Sequence, residues 1–269
     1  MSHFMKYAFS LALPAICTSS TAFAADQLPS QPYVSEDVFS TATLRGSIGL
    51  RYWYSQASSD VHGANARVET DNVTGHSVEL VANLEDITAN TYFKGYVGFG
   101  RNTDGSQSYS GTESTAWNTK NLGYLTLDGG WEIMKFAGNS GRLRTFIGYQ
   151  FLTDELSAEY GGTSFKISNT WHALRLGLSA DGTLNDRFSW SVDAAAVPWS
   201  YNESDDGFID IESIYTYGFE TDAMMNVALT SNWNVGVGGR YWWMHSEYEL
   251  DQSQTYQRYG LLLESKYTF

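Results

Sequence analysis

The 269-residue chain has one cysteine, four prolines and no apolar run approaching the length of a membrane helix. A transmembrane helix needs about 20 predominantly apolar residues in a row, so a helical membrane protein is excluded. A lone Cys17 rules out an intrachain disulfide. Basic residues are scarce as well. Sixteen Lys and Arg against 30 Asp and Glu give a formal charge of −14, which leaves no basic face for nucleic acid. No phosphate cradle, zinc spacing or calcium loop with its fixed Gly and closing Glu occurs, so no metal or cofactor is expected.

What the chain has in quantity is aromatic side chains, 15% of the total, together with 25 glycines. Its N-terminus reads as an export signal. Lys6 precedes the apolar residues 7–16, and Ala22-Phe23-Ala24 supplies small residues for cleavage after Ala24. Met5 is an alternative start. A lipoprotein signal ending at Cys17 is the rival reading, and bulky Ile16 just before it fits that poorly. Residues 1–24 are therefore expected to be a signal peptide, 25–42 a flexible periplasmic segment with two prolines, and 43–269 one β domain.

From residue 44 onward the chain alternates with the period of a strand. Leu44, Ile48, Leu50, Tyr52 and Tyr54 share one parity, and Arg45, Ser47, Arg51 and Trp53 the other. Nine more segments repeat the pattern. Leu80 opposes Glu79, Phe93 opposes Lys94, Leu127 opposes Asp128, Leu143 opposes Arg144, and Leu176 opposes Arg175. Val192 opposes Asp193, Ala223 opposes Asp222, Tyr241 opposes Arg240, and Leu263 opposes Glu264. Apolar-out, polar-in alternation in about ten segments predicts an all-β transmembrane antiparallel up-and-down barrel.

Connection lengths point the same way. Brief turns at 138–140, 184–186 and 230–232 alternate with polar stretches near 56–72, 101–120, 152–164 and 199–212, read as long outer loops. Threading the strands up and down sorts Trp131, Trp190, Trp233, Tyr267 and Phe269 to one rim and Tyr52, Tyr149, Tyr217, Trp243 and Tyr259 to the other. A soluble β-sandwich or lipocalin-like barrel also alternates, but its core would not sort aromatics to both ends. The expected location is the bacterial outer membrane. The expected partners are outer-membrane lipid, lipopolysaccharide and, through the terminal Tyr267-Thr-Phe269, the barrel assembly machinery, with the protein itself a monomer.

A ten-stranded barrel is little wider than the eight-stranded ones that side chains fill. Inward Arg51, Arg144, Arg175, Arg187, Arg240 and Arg258 face Glu79, Asp128, Asp193, Glu220, Asp222 and Glu264, so a salt-bridged plug that neutralises itself is expected in place of an open pore.

Gly123-Tyr-Leu-Thr-Leu-Asp-Gly129, Phe146-Ile-Gly-Tyr-Gln150, Trp171-His-Ala-Leu-Arg-Leu-Gly-Leu178 and Gly236-Val-Gly-Gly-Arg-Tyr-Trp-Trp243 make strands four to ten resemble the omptin-like outer-membrane barrels. That resemblance implies a ten-stranded barrel whose outer rim carries aspartyl and Asp-His pairs that activate water for peptide cleavage. Where such relatives carry Asp-Asn-His after the strand-seven proline, this chain reads Ser204-Asp205-Asp206-Gly207-Phe208. A histidine that accepts a proton near neutral pH is missing there. Asp205, Asp206, His62 and His245 remain the candidates for a surface hydrolase, the alternative to a structural, adhesive or ligand-contacting barrel. For His62 and His245 the competing interpretation is a polar rim residue. For Glu203, Asp205, Asp206 and Asp210, a solvated loop competes with a divalent-cation site or a sink for basic peptides.

Overall fold

The structure is a computed structural model that describes residues 44–63, 67–110, 112–114, 119–160, 163–205, 210–213, 215–248 and 252–269. The expected signal peptide and residues 25–42 lie outside the described residues.

Ten long strands form the wall: β1 (Leu44–His62), β2 (Arg67–Asp86), β3 (Thr91–Tyr109), β4 (Lys120–Phe136), β5 (Gly141–Tyr160), β6 (Thr163–Thr183), β7 (Phe188–Asp205), β8 (Tyr215–Ala228), β9 (Trp233–Tyr248) and β10 (Gln252–Thr268). Each pairs antiparallel with its neighbours in sequence. β1 pairs β10 from Ser47↔Thr268 to His62↔Ser253, which closes the sheet on itself. Two three-residue strands, Thr112–Ser114 and Asp210–Glu212, fold back and pair antiparallel with the ends of β3 and β7. A closed barrel has no free edge, so its ladder groups are paired without help from solvent.

The alternation seen in the sequence sorts side chains as expected. Leu50, Leu80, Phe93, Ile147, Leu178 and Leu261 are exposed on the outer surface, while Arg51, Glu79, Asp128, Arg144, Arg175 and Glu264 are buried inside. A continuous exposed apolar band of this extent suits hydrocarbon and not water.

The polar stretches read as long loops are mostly strand. β1 continues to His62, β2 begins at Arg67, β3 runs to Tyr109, β5 to Tyr160 and β7 to Asp205. The wall therefore extends well beyond the apolar band. There the alternation changes character. Outward positions become Gln56, Ser58, Glu69 and Thr153, while inward ones include Ala57, Val73, Leu152 and Leu156 in one buried cluster with Trp171 and Met244. Without lipid outside, the outward face has no reason to be apolar, so the membrane-strand signal fades although the ladder persists.

Two local corrections follow. Arg187, expected inside, is exposed in the turn before β7, where Asn185 Oδ1 accepts from the Arg187 and Phe188 amides at 2.9 and 3.0 Å. Pro198 lies in a bulge: Leu174 pairs Trp199 but Leu176 pairs Ala196. A proline cannot donate to the ladder and is tolerated at such a bulge. The extra residue reverses the inward parity of β7, from Ala195 and Val197 below to Ser200 and Asn202 above.

Candidate functional site

Each inward side chain of the waist is placed by strand parity two residues from the next. Arg51 precedes Trp53 on β1, Ser77 precedes Glu79 on β2, Glu220 precedes Asp222 on β8, and Arg240 precedes Trp242 on β9. Together they meet across the lumen. Arg240 donates from Nη1 to Glu79 Oε1 at 2.5 Å, from Nε to Asp222 Oδ1 at 2.7 Å and from Nη2 to Asp222 Oδ2 at 3.0 Å. Arg51 donates from Nη2 to Glu264 Oε2 at 2.6 Å and reaches Glu79 at 3.5 Å. Arg175 donates from Nε to Glu220 Oε2 at 2.8 Å, and from Nη1 to Asp128.

Aromatic rings pack beside these charges. Trp53 and Trp242 pack edge to face with centroids 4.7 Å apart, and Tyr124 lies 5.6 and 5.2 Å from them. The Arg240 guanidinium sits 4.2 Å from the Tyr96 centroid and 4.8 Å from that of Trp53, so its faces meet π-electrons and its edges meet carboxylates. Tyr124 also donates to Glu79 Oε1 at 2.6 Å. Arg144 pairs with Asp181 nearer the short-turn end. Of the six residues assigned to the lumen network, the structure thus brings Arg51, Arg240 and Asp222 around Glu79 and joins Arg175 to Glu220, while Arg144 belongs to a separate cluster.

A further buried ion pair lies where the sequence pattern predicts loops. Arg258 donates to Asp154 Oδ2 at 2.8 Å, to Ser55 Oγ at 2.8 Å, to Asn102 Oδ1 at 3.0 Å and to the Tyr256 hydroxyl at 2.7 Å. Asp154 also accepts from Tyr256 at 2.7 Å and from Asn102 Nδ2 at 2.6 Å. Asp154 and Asn102 fell in segments read as loops. Extending the period of two past Gln150 and Leu152 would have found Asp154.

The rim candidates do not converge. His245 points outward, stacks on Trp243 with centroids 6.2 Å apart and lies 2.9 Å from Thr255 Oγ1, whereas neighbouring Ser246 points inward to Thr216. His62 pairs outward with Asp60 at 3.2 Å. Asp206 lies outside the described residues, and of Asp205 only the backbone is described, pairing with Ser168 and Asp210. His76 and His172 sit in the outward aromatic girdle, 2.6 Å from the Tyr52 hydroxyl and 2.7 Å from that of Tyr149. Among the described residues no group of three or more metal-ligating side chains occurs.

Above the girdle, Arg67 donates from Nε and Nη2 to Asp60 at 3.0 and 2.7 Å. These hydrogen bonds, with His62 adding to them, hold the Asp60 carboxyl below its ordinary pKa. A group depressed on folding contributes stability above its unfolded pKa and loses it as pH falls through the folded value. The β1–β2 hairpin tip is therefore expected to stay paired through mildly acidic pH and to loosen only below the ordinary Asp value of about 3.9. Carboxyl-detected NMR titration should give Asp60 a midpoint below that value, and Arg67→Gln should raise it. An unchanged midpoint in Arg67→Gln would show that the pair does not exist in solution.

A closed ten-stranded barrel, apolar around its outer belt and filled with ion pairs, is an up-and-down barrel of the outer-membrane type. The chain shares its fold with the outer membrane protease OmpT of Escherichia coli, at 13% identity, 86% of this chain, 98% of that one and a TM-score of 0.55. More distant likenesses are the NalP translocator domain of Neisseria meningitidis (11% identity, 85% and 91% covered, TM-score 0.40) and the β domain of the Bordetella autotransporter BrkA (14%, 80% and 98%, TM-score 0.39). No protein-family model and no curated sequence matches the chain.

Proposed function

We propose that this protein is a monomeric barrel of the bacterial outer membrane, closed to free diffusion, whose long strand hairpins project outward as a surface for structural, adhesive or ligand contacts. The short turns then face the periplasm, lipopolysaccharide surrounds the outer girdle, and Phe269 is the end that the assembly machinery reads. The observation that carries the reading is the waist, where Arg240 is buried among Trp53, Tyr96, Trp242, Glu79 and Asp222. Fold likeness to a protease does not transfer its chemistry, because function resides in the site and not in the wall. His62 and His245 face outward and partner Asp60 and Thr255, an arrangement that offers no shared base for a water in the mouth.

The test is electrical. Refolded protein in planar bilayers is expected to show no steady conductance, while Trp53→Ala combined with Trp242→Ala should produce brief openings. Large, stable currents from the unaltered protein would overturn the closed reading. Dibasic peptides incubated with the lipopolysaccharide-bearing protein are expected to remain intact. Cleavage that disappears in Asp205→Asn and Asp206→Asn would establish the hydrolase instead.

A further inference from the structure

Below the waist, at the short-turn end, the lumen widens into a cavity of about 780 Å³. That volume is in the range that holds a small-molecule ligand, roughly 300–1,000 Å³. Its lining is at odds with the rest of the molecule. Seven of the chain's sixteen basic residues line it, against five of its thirty acidic ones, in a protein of net charge −14.

Pairing does not cancel this bias, because in three of the pairs the cation is by far the more exposed partner. Arg45 is 50% exposed over Glu85 at 11%, Lys135 is 48% exposed over Glu132 at 14%, and Lys266 is 25% exposed over Glu264 at 2%. In these three pairs the carboxylate sits against the wall and the cation faces the water, whereas Lys94 and Asp193 are equally exposed at 22% and Arg144 at 10% is less exposed than Asp181 at 17%. Glu85 and Asp181 are further shared among Arg45, Arg142 and Arg144, three guanidinium groups on two carboxylates. A concave mouth with low-dielectric walls focuses the field of such charges and concentrates counter-ions inside it.

We infer that this vestibule is a binding site for a water-soluble small molecule bearing two or more oxyanion groups, phosphate or carboxylate. Arg45, Lys135 and Lys266 make the first contacts and Arg142 lies deeper. The ligand's compartment, the periplasm, rests on the orientation proposed above, but the site itself does not. Guanidinium and ammonium groups that already share or shield their carboxylates retain donors for an incoming oxyanion.

Isothermal titration of the refolded barrel in micelles at low salt, with tripolyphosphate in one arm and citrate in another, tests the site regardless of orientation. Saturable binding is expected in at least one arm, and which arm responds separates phosphate from carboxylate recognition. Raising the salt should weaken it. Arg45→Gln with Lys135→Gln should weaken Kd by roughly tenfold or more, as expected when two charge-assisted contacts are lost. Arg67→Gln at the opposite end should leave it unchanged. Lys135→Gln alone removes only a pair 3.6 Å long whose cation is half exposed, so it keeps the test usable if the double variant folds poorly. No binding in either arm, or an equal loss in Arg67→Gln, would overturn the inference. The conductance experiment can fail or succeed independently of this one.

Discussion

Replacing Arg240 by Met is expected to destabilise the barrel by about 3–5 kcal/mol, the usual cost of removing one partner from a buried ion pair. The guanidinium is fully buried and is held by Glu79 and Asp222. Without it, Asp222 keeps only a distant contact to Arg51 at 3.9 Å, and Glu79 keeps Arg51 at 3.5 Å and the Tyr124 hydroxyl. Glu79 and Asp222 would then compete for Arg51, which Glu264 already holds at 2.6 Å. Urea titration of the protein in lipid vesicles, followed by the mobility difference between heated and unheated samples, measures the loss. Adding Glu79→Gln and Asp222→Asn to Arg240→Met should recover most of it, since neutral amides cost far less to bury than unpaired carboxylates. A single variant as stable as the parent would mean that water enters the waist, and the closed lumen would fall with it.

The second large effect is expected at Asp154. Asp154→Ala leaves the Arg258 guanidinium buried with only neutral acceptors, Ser55, Asn102 and Tyr256. A loss again of about 3–5 kcal/mol is expected. Asp154→Asn keeps shape and an acceptor but removes the charge, and should lie between parent and Ala. Equal stability of all three would mean that the barrel ends at the girdle and that the outer strand segments carry no packed core.

Position 154 also shows where sequence reading stopped. Parity found the ten strands, their outward apolar faces and the inward charges of the waist, because within the belt the contrast between the two faces is as large as side-chain chemistry allows. Leu50 against Arg51, or Leu263 against Glu264, needs no further context. Beyond Phe151 the contrast fades: Thr153 and Glu155 flank Asp154, all polar, and the segment looks like a loop although it pairs with β6 as far as Tyr160↔Thr163. Pro198 misled differently. A proline followed by polar residues predicts the end of a strand, whereas the bulge there lets the strand continue with its faces exchanged. The vestibule is not legible in the sequence because its character lies in which cations reach the water, and that depends on side-chain reach across neighbouring strands. Arg45 and Glu85 are 40 residues apart in sequence.

The change of character along the wall has a consequence for how this protein tolerates substitution. In the belt, an outward Leu meets hydrocarbon and an inward polar group meets its ionic partner. Past the girdle, Ala57, Val73, Leu152 and Leu156 turn inward beneath Ser58 and Thr153. The outward face of one continuous sheet therefore obeys two rule books. An outward Ser→Leu exchange should be harmless or favourable at one height, and at another it should create an adhesive patch on the hairpin end of the barrel. The girdle marks the line at which the sign of the same mutation reverses.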